Sequence, residues 1–423
     1  MSFRFVHTAD VHLDSPLRSL ALRDERLADL VASATRTAFE RTVELCLDEA
    51  VDALFIVGDL YDGDQTSMKT AVFLAEQLRR LDRAGIEVFI ARGNHDAASR
   101  VTRELSLPER VRVFSGRGGA FELKTKSGLE VRIHGISFRE PHAPESLLPK
   151  FKAKVPGALN VGLLHTSLAG ADGHDDYAPC KLSELLEHGF DYWALGHVHR
   201  RAVHSEAPAV VMPGMPQGRD INEDGEKSVT LASIAEDGRV TLEARGTSVA
   251  QFERVQVELA GLDDYEAVLV AIRRALERAR EAATSEHLIA RLQLSGESAL
   301  GFRLRADADR LLEEARLLAA DIGACWIETL ELALSAPSQG ERPVGANPLL
   351  QLGALIEARL LTSEAFRDEA RAIVQQLRTN LPAEGRKFLS QDEAAHEAQI
   401  DSLIREGSQE VLARLEARRL EEG

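Results

Sequence analysis

The sequence predicts an α/β protein followed by a smaller α+β unit and a helical tail. Three observations carry that expectation. Apolar strand-like runs alternate with amphipathic helical stretches over residues 3–91. Some of these runs are apolar at every position, such as Ala53-Leu54-Phe55-Ile56-Val57, as in strands covered on both faces. Five runs also end directly in a short segment carrying Asp, Asn or His.

In order, Phe3 to Ala9 reads as a strand ending in Asp10-Val11-His12-Leu13-Asp14. Residues 23–50 follow a helical period through Leu30, Ala34, Ala38, Val43 and Leu47. The strand at 53–57 ends in Gly58-Asp59-Leu60-Tyr61-Asp62, and residues 67–83 form a second helix. A third strand, 87–91, leads to Gly93-Asn94-His95-Asp96. Short strands and Gly-rich turns follow, then a buried run at 160–164 ending in His165-Thr166-Ser167. A polar loop and a short helix near 181–187 lead to Tyr192-Trp193-Ala194-Leu195, which ends in Gly196-His197-Val198-His199. Two antiparallel strands, 228–234 and 240–244, close the first domain, residues 1–250.

Residues 251–336 alternate β-α-β-α-β and read as a small α+β domain without a catalytic cluster. Asp263 and Glu266 have capping-box spacing for its first helix, and residues 304–320 read as one further helix. A Pro- and Gly-rich stretch, 337–347, is a linker, and residues 348–423 are helical. Phe366, Ala370, Ile373, Val374 and Leu377 make an apolar stripe that either packs on the body of the protein or docks a partner helix pair.

No apolar run reaches bilayer-spanning length, and the N-terminus runs straight into a strand with no signal peptide before it. Cys46, Cys180 and Cys325 are widely spaced and odd in number, which suits a reducing cytoplasm. The net charge of -17 argues against a nucleic-acid substrate, because phosphate binding draws on Lys and Arg. Bound cations, a local basic patch or a partner subunit can supply the missing positive field.

The polar strand ends are Asp10 and His12, Asp59, Asn94 and His95, His165, and His197 and His199. Ligands bind at the C-terminal strand edge of α/β sheets, so these blocks converge on a metal site there. Oxygen and imidazole donors without thiolate favour Mn²⁺, Fe²⁺ or Zn²⁺. So many donors exceed one ion and suit two, and Asp59 is the carboxylate placed to bridge them about 3.5–4 Å apart. Gly58 beside it lets the backbone approach the ions closely.

The five blocks resemble the pattern of the calcineurin-like metallophosphoesterases: Asp-x-His, Gly-Asp, Gly-Asn-His-Asp/Glu, His, Gly-His-x-His. The opening residues 7–14, Leu164-His165-Thr166 and Pro213-Gly214…Gln217-Gly218-Arg219 are similar to DNA-repair exonucleases of the SbcD/Mre11 type. The resemblance implies a four-layer α/β/β/α sandwich with a small α+β capping domain and a C-terminal helical tail. It implies two divalent ions, Mn²⁺ foremost, the first held by Asp10, His12, Asp59 and His199. Asp59, Asn94, His165 and His197 would hold the second. His95 would face the scissile phosphate and stabilise or protonate the leaving oxygen.

The nucleases often carry a second histidine three residues after the bridging Asp, where this chain has Asp62, as the related protein phosphatases do. Asp62 either holds His95 as an imidazolium or merely caps its loop. Arg219 is either a phosphate contact or a surface arginine, and His134 and His174 read as structural. The implied reaction is metal-dependent phosphodiester hydrolysis, with DNA as substrate, a coiled-coil ATPase subunit of the SbcC/Rad50 type as partner, a homodimer, and no membrane. The alternatives are a phosphodiesterase or phosphatase on a small nucleotide, a protein phosphatase, and a scaffold subunit with a vestigial site.

Overall fold

A computed structural model describes residues 1–15, 25–61, 67–98, 107–168, 177–335, 348–360, 362–380 and 393–421. Asp62, His174 and the linker at 337–347 lie outside the described residues. Contacts divide the chain into two units, 1–253 with 281–289, and 254–280 with 290–423.

The first unit opens with β1 (Ser2–Thr8), α1 (Glu25–Asp48), β2 (Ala53–Val57), α2 (Met68–Arg83), β3 (Glu87–Ala91), α3 (Asn94–Ala98) and β4 (Val111–Val113). It continues through β5 (Gly119–Lys124), β6 (Glu130–Gly135), β7 (Leu159–His165), α4 (Leu182–His188), β8 (Tyr192–Gly196), β9 (Ala202–Glu206) and β10 (Ala209–Met212). Two further strands follow, β11 (Ser228–Ala235) and β12 (Val240–Gly246). They form two six-stranded sheets, ordered β12-β11-β1-β2-β3-β4 and β5-β6-β7-β8-β10-β9. Strands β1 to β4 run parallel, as do β6, β7, β8 and β10. The C-terminal ends of β1, β2 and β3 therefore share one edge of the first sheet, and those of β7 and β8 share one edge of the second.

Side-chain alternation builds the layers. Phe3, Phe5, Phe55 and Phe89 face Val131, Ile133, Val161, Leu163 and Tyr192 between the sheets. From the same strands, Val6, Leu54, Ile56 and Val88 point the other way, onto Phe39 and Val43 of α1 and Leu74 and Leu78 of α2. Beyond the second sheet, Leu164, Trp193 and Leu195 pack on Leu185 of α4. The result is the four-layer α/β/β/α sandwich expected from the resemblance. Strand β9 was not legible: its burial alternates weakly at the sheet margin, and its sequence Ala-Val-His-Ser-Glu lacks an apolar run.

The remaining elements are β13 (Ala250–Glu258), α5 (Tyr265–Ala282), β14 (His287–Glu297), α6 (Gly301–Ala306), α7 (Ala308–Ile322), β15 (Cys325–Ser335), α8 (Pro348–Leu355), α9 (Glu364–Asn380) and α10 (Glu393–Glu421). Strands β13, β14 and β15 form a three-stranded sheet. Helix α5 buries Val268, Ile272, Ala275 and Leu276, one stripe of its surface. Its start is set by Asp264, whose carboxylate accepts the main-chain N–H of Ala267, so the cap is Asp264 in place of the expected Asp263 and Ala267 cannot complete a capping box. The single helix expected over 304–320 is two, because the chain leaves helical geometry at Asp307 (φ -100, ψ 21). Gly353 of α8 brings Phe302 of α6 and Leu412 of α10 together. Arg367 pairs with Asp401, and Arg371 with Glu397, between α9 and α10. No helix among the described residues is long and apolar enough to cross a membrane.

His7, at the end of β1, is fully buried between the Tyr192 hydroxyl at 3.1 Å and the Leu195 carbonyl at 2.9 Å. Burial lowers its pKa from the ordinary value to about 3. Between that value and about 6.5 the unfolded chain binds more protons than the folded one, so stability rises with pH across this window and is lost as pH falls through it. His7→Gln is expected to flatten the acid limb of a stability-against-pH curve by up to one proton, about 1.4 kcal/mol per pH unit. An unchanged limb in urea unfolding between pH 3.5 and 6.5 (roughly the window given by linkage) contradicts this account of His7.

Candidate metal centre

The five strand ends meet where the C-terminal edges of the two sheets come together. The loops after β1 and β2 are laced by main-chain bonds from Asp10, His12 and Leu13 to the carbonyls of Gly58, Asp59 and Leu60. The second sheet joins through the Asp10 carboxylate, which accepts the main-chain N–H of His197 at 2.9 Å. His165 closes the seam, with its Nδ1 3.1 Å from the Val57 carbonyl. A carbonyl accepts only an N–H, so Nδ1 carries a proton and Nε2 is the nitrogen that a cation in the cavity would meet.

Two donor groups result. Asp10, His12 and His199 form one, and Asp59, His165 and His197 form the other, each offering ligand atoms within 4.8 Å of one another. In the first, the Nε2 atoms of His12 and His199 lie 3.4 Å apart, and His199 Nε2 is 3.9 Å from Asp10. In the second, His165 Nε2 faces the Asn94 side-chain oxygen at 3.0 Å and the Asp59 carboxylate at 3.5 Å. Asp59 also lies by the third strand end, since its other carboxylate oxygen accepts the His95 main-chain N–H at 3.0 Å. The structure thus brings together Asp10, His12, Asp59, Asn94, His165, His197 and His199. His95 stands beside them as the exposed imidazole, its ring centroid 5.2 Å from that of His12.

The donor set fits divalent cations. Asp10, Asp59 and His165 are buried, and neither carboxylate has a Lys or Arg partner among the described residues. Burial raises the Asp10 pKa despite the nearby imidazoles, so a charged Asp10 calls for a stronger positive partner. Burial works the same way on Asp59, but the adjacent His165 overrides it and holds Asp59 well below the usual carboxylate range. His165 is conversely raised to about 9, against its own burial, by Asp59 and then Asp10. In the protein alone, an imidazolium proton supplies the positive charge that a cation supplies when bound.

Backbone strain marks the same positions. Non-glycine residues rarely adopt positive φ. Among the described residues eight do, and four of them are Asp10 (φ 50), His12 (φ 45), Asp59 (φ 48) and His197 (φ 107). Such strain persists where the surroundings over-determine it, typically at functional sites. Gly58 plays a different part from the one expected. It has φ 85, and a Cβ there would lie 2.0 Å from Nδ1 of His165, so it makes room for the ring of a donor. Gly196 is tighter still, with a Cβ meeting the Val57 carbonyl oxygen at 1.9 Å.

Two residues at the site were not singled out from sequence. Asp96 is buried and accepts main-chain N–H groups of Leu60, Tyr61 and Gly93, which ties the second loop to the third. Burial and then the neighbouring Asp59 raise its pKa to about 7. Its place in the Gly-Asn-His-Asp block was the available signal. Glu223 bonds Nδ1 of His199 at 2.7 Å and is gripped by Arg219. Burial raises the Glu223 pKa, but His199 and Arg219 outweigh it and hold it well below the usual range. Arg219 is therefore engaged on a carboxylate at the site. His134 is buried, stacked on Phe190 and bonded to Asn160.

Gly196→Ala is expected to cost at least about 1–3 kcal/mol, since the new methyl meets rigid backbone. The measurement is the urea midpoint of the metal-free protein, and an unchanged midpoint contradicts the close approach of the two sheet edges.

The calcineurin-like phosphoesterase family matches residues 3–201, and the middle domain of metallophosphoesterase YhaO matches residues 252–335. The chain is 32% identical over 257 residues to the uncharacterized metallophosphoesterase YhaO of Bacillus subtilis (strain 168), covering 60% of this chain and 63% of that one. It is 28% identical over 293 residues to the DNA double-strand break repair protein Mre11 of Methanopyrus kandleri, covering 64% and 58%. Against Mre11 of Sulfurisphaera tokodaii the identity is 25% over 206 residues, covering 47% and 50%. The chain thus spans between half and two thirds of the length of these relatives. The match over residues 3–201, on the same strand ends that converge in the fold, makes this part of the chain a calcineurin-like metallophosphoesterase domain.

Proposed function

We propose that the chain hydrolyses phosphodiesters with two divalent cations and that its substrate is DNA. The carrying observation is the pair of donor groups meeting at one sheet edge with the exposed His95 beside them. Asp10, His12, Asp59 and His199 are the residues to hold one cation, and Asp59, Asn94, His165 and His197 the other, with Mn²⁺ the metal and Fe²⁺ or Zn²⁺ its competitors. When bound, the two cations supply Lewis acidity and positive charge to a phosphoryl group.

The chain's own residues do the rest. The Asp59 carboxylate, pinned by the His95 main-chain N–H, fixes how far apart the two donor groups stand. Asp96 holds the Asp59 and Asn94 loops in register through three main-chain N–H groups. His95, exposed beside the donor groups, stabilises or protonates the leaving oxygen in this reading. Asp62, outside the described residues, is the carboxylate assigned to orient His95.

DNA is supported by relatives named as DNA double-strand break repair proteins. A coiled-coil ATPase subunit is the proposed partner of a homodimer. Its docking is supported by the exposed Ile373 and Leu377 on α9 and Leu403, Val411 and Leu415 on α10. Three buried free cysteines suit a cytoplasmic location. The second reading is a small-nucleotide phosphodiesterase, favoured by the net charge of -17.

One Mn²⁺ assay panel tests this: a chromogenic phosphodiester, a small cyclic nucleotide and end-labelled DNA. Cleavage of DNA is the expected result. Turnover of nucleotides with DNA untouched, even with a coiled-coil ATPase added, overturns the DNA reading. His95→Asn is expected to lower kcat about 10²–10⁴-fold with bound metal unchanged. Asp62→Asn should also cut turnover at full metal content, and unchanged turnover refutes its role.

A further inference from the structure

Resting on the proposed metal site, we propose that Glu223 is a positioning residue for the first cation, fixing the His199 ring so that Nε2 faces Asp10 and His12. His165 has its Nδ1 proton held by a main-chain carbonyl, at Val57. His199 lies past the end of β8, its side chain a quarter exposed, and its Nδ1 is held by a side chain instead. Glu223 Oε1 is 2.7 Å from that Nδ1, and a carboxylate accepts only a proton. The lone pair is thereby left on Nε2, 3.4 Å from His12 Nε2 and 3.9 Å from Asp10 Oδ1, inside the first donor group. A carboxylate behind a ligand histidine both sets its tautomer and raises its basicity.

Glu223 is itself over-determined. Its side chain is nearly buried, at the end of a single turn (Ile221–Glu223) whose start is capped by Asp220. Arg219 takes hold of it from three sides, through its main-chain N–H at 2.7 Å, Nη2 at 2.7 Å and Nε at 3.2 Å. Arg219 Nη1 reaches on to Ser15, on the chain that follows Asp10 and His12. The chain Ser15–Arg219–Glu223–His199 therefore frames the first donor group from outside. Asp59 and His165 of the second donor group make no hydrogen bond or ion pair with Glu223 among the described residues.

This asymmetry gives the test. Mn²⁺ titration of the metal-free full chain by calorimetry, with metal analysis, reads the two ions separately, and thermal unfolding of the same samples reads stability. Glu223→Ala is expected to weaken one of the two ions about 10–100-fold and leave the other unchanged. Glu223→Gln keeps an oxygen toward His199 and is expected to lose less at that same ion, with the metal-free melting temperature near wild type. The Gln variant decides the matter if the Ala variant does not fold. Unchanged affinity of both ions in Glu223→Gln and in any folded Glu223→Ala overturns the proposal, as does equal weakening of both. Wild type binding no Mn²⁺ overturns the metal site itself, a result distinct from a Glu223 variant that binds like wild type.

Discussion

Two carboxylates, Asp10 and Asp59, are buried at the seam of two sheets, and their hydrogen-bond and ion-pair partners among the described residues are imidazoles and main-chain N–H groups. A buried carboxylate without a paired cation is costly, and proteins neutralise it by proton uptake, by ion pairing or by metal. Much of the local architecture answers to this constraint. Positive-φ backbone at Asp10, His12, Asp59 and His197 marks three of the five strand ends, those of β1, β2 and β8. The bond from the His197 N–H to Asp10 links the first block of the sequence to the last, 187 residues apart. The parallel strands supply the common edge, and the phenylalanine layer between the sheets keeps the two edges abreast.

The donor residues were legible because each follows an apolar run directly. A strand fully buried on both faces has little polar content of its own, so an Asp or His at its end stands out. The positioning residues gave weaker signals. Glu223 is one acid in an acidic loop, and its importance lies in a contact with His199 that spacing does not reveal. Asp96 works through three main-chain N–H groups, which have no sequence signature. Gly58 was recognised as a close-approach glycine, but the group that approaches it is the His165 ring.

Local errors in the helical regions have local causes. Residues 301–322 carry helical periodicity throughout, yet Asp307 breaks the run without Gly or Pro to announce it. At α5 two consecutive aspartates, Asp263 and Asp264, compete for the cap, and only the latter reaches Ala267. The acidic balance of the whole chain said little about the site, because a charge sum does not locate charges. The helical tail buries Ile400, Leu412 and Ala413 while leaving other apolar side chains, such as Leu377 and Val411, exposed.

Asp59 is proposed to join the two donor groups, which would then hold two ions. Crystals of the full chain grown with Mn²⁺ and measured for anomalous scattering test it directly. The account predicts two peaks, one against Asp10, His12 and His199, the other against Asn94, His165 and His197, with Asp59 touching both. A single peak, or peaks away from these residues, contradicts it.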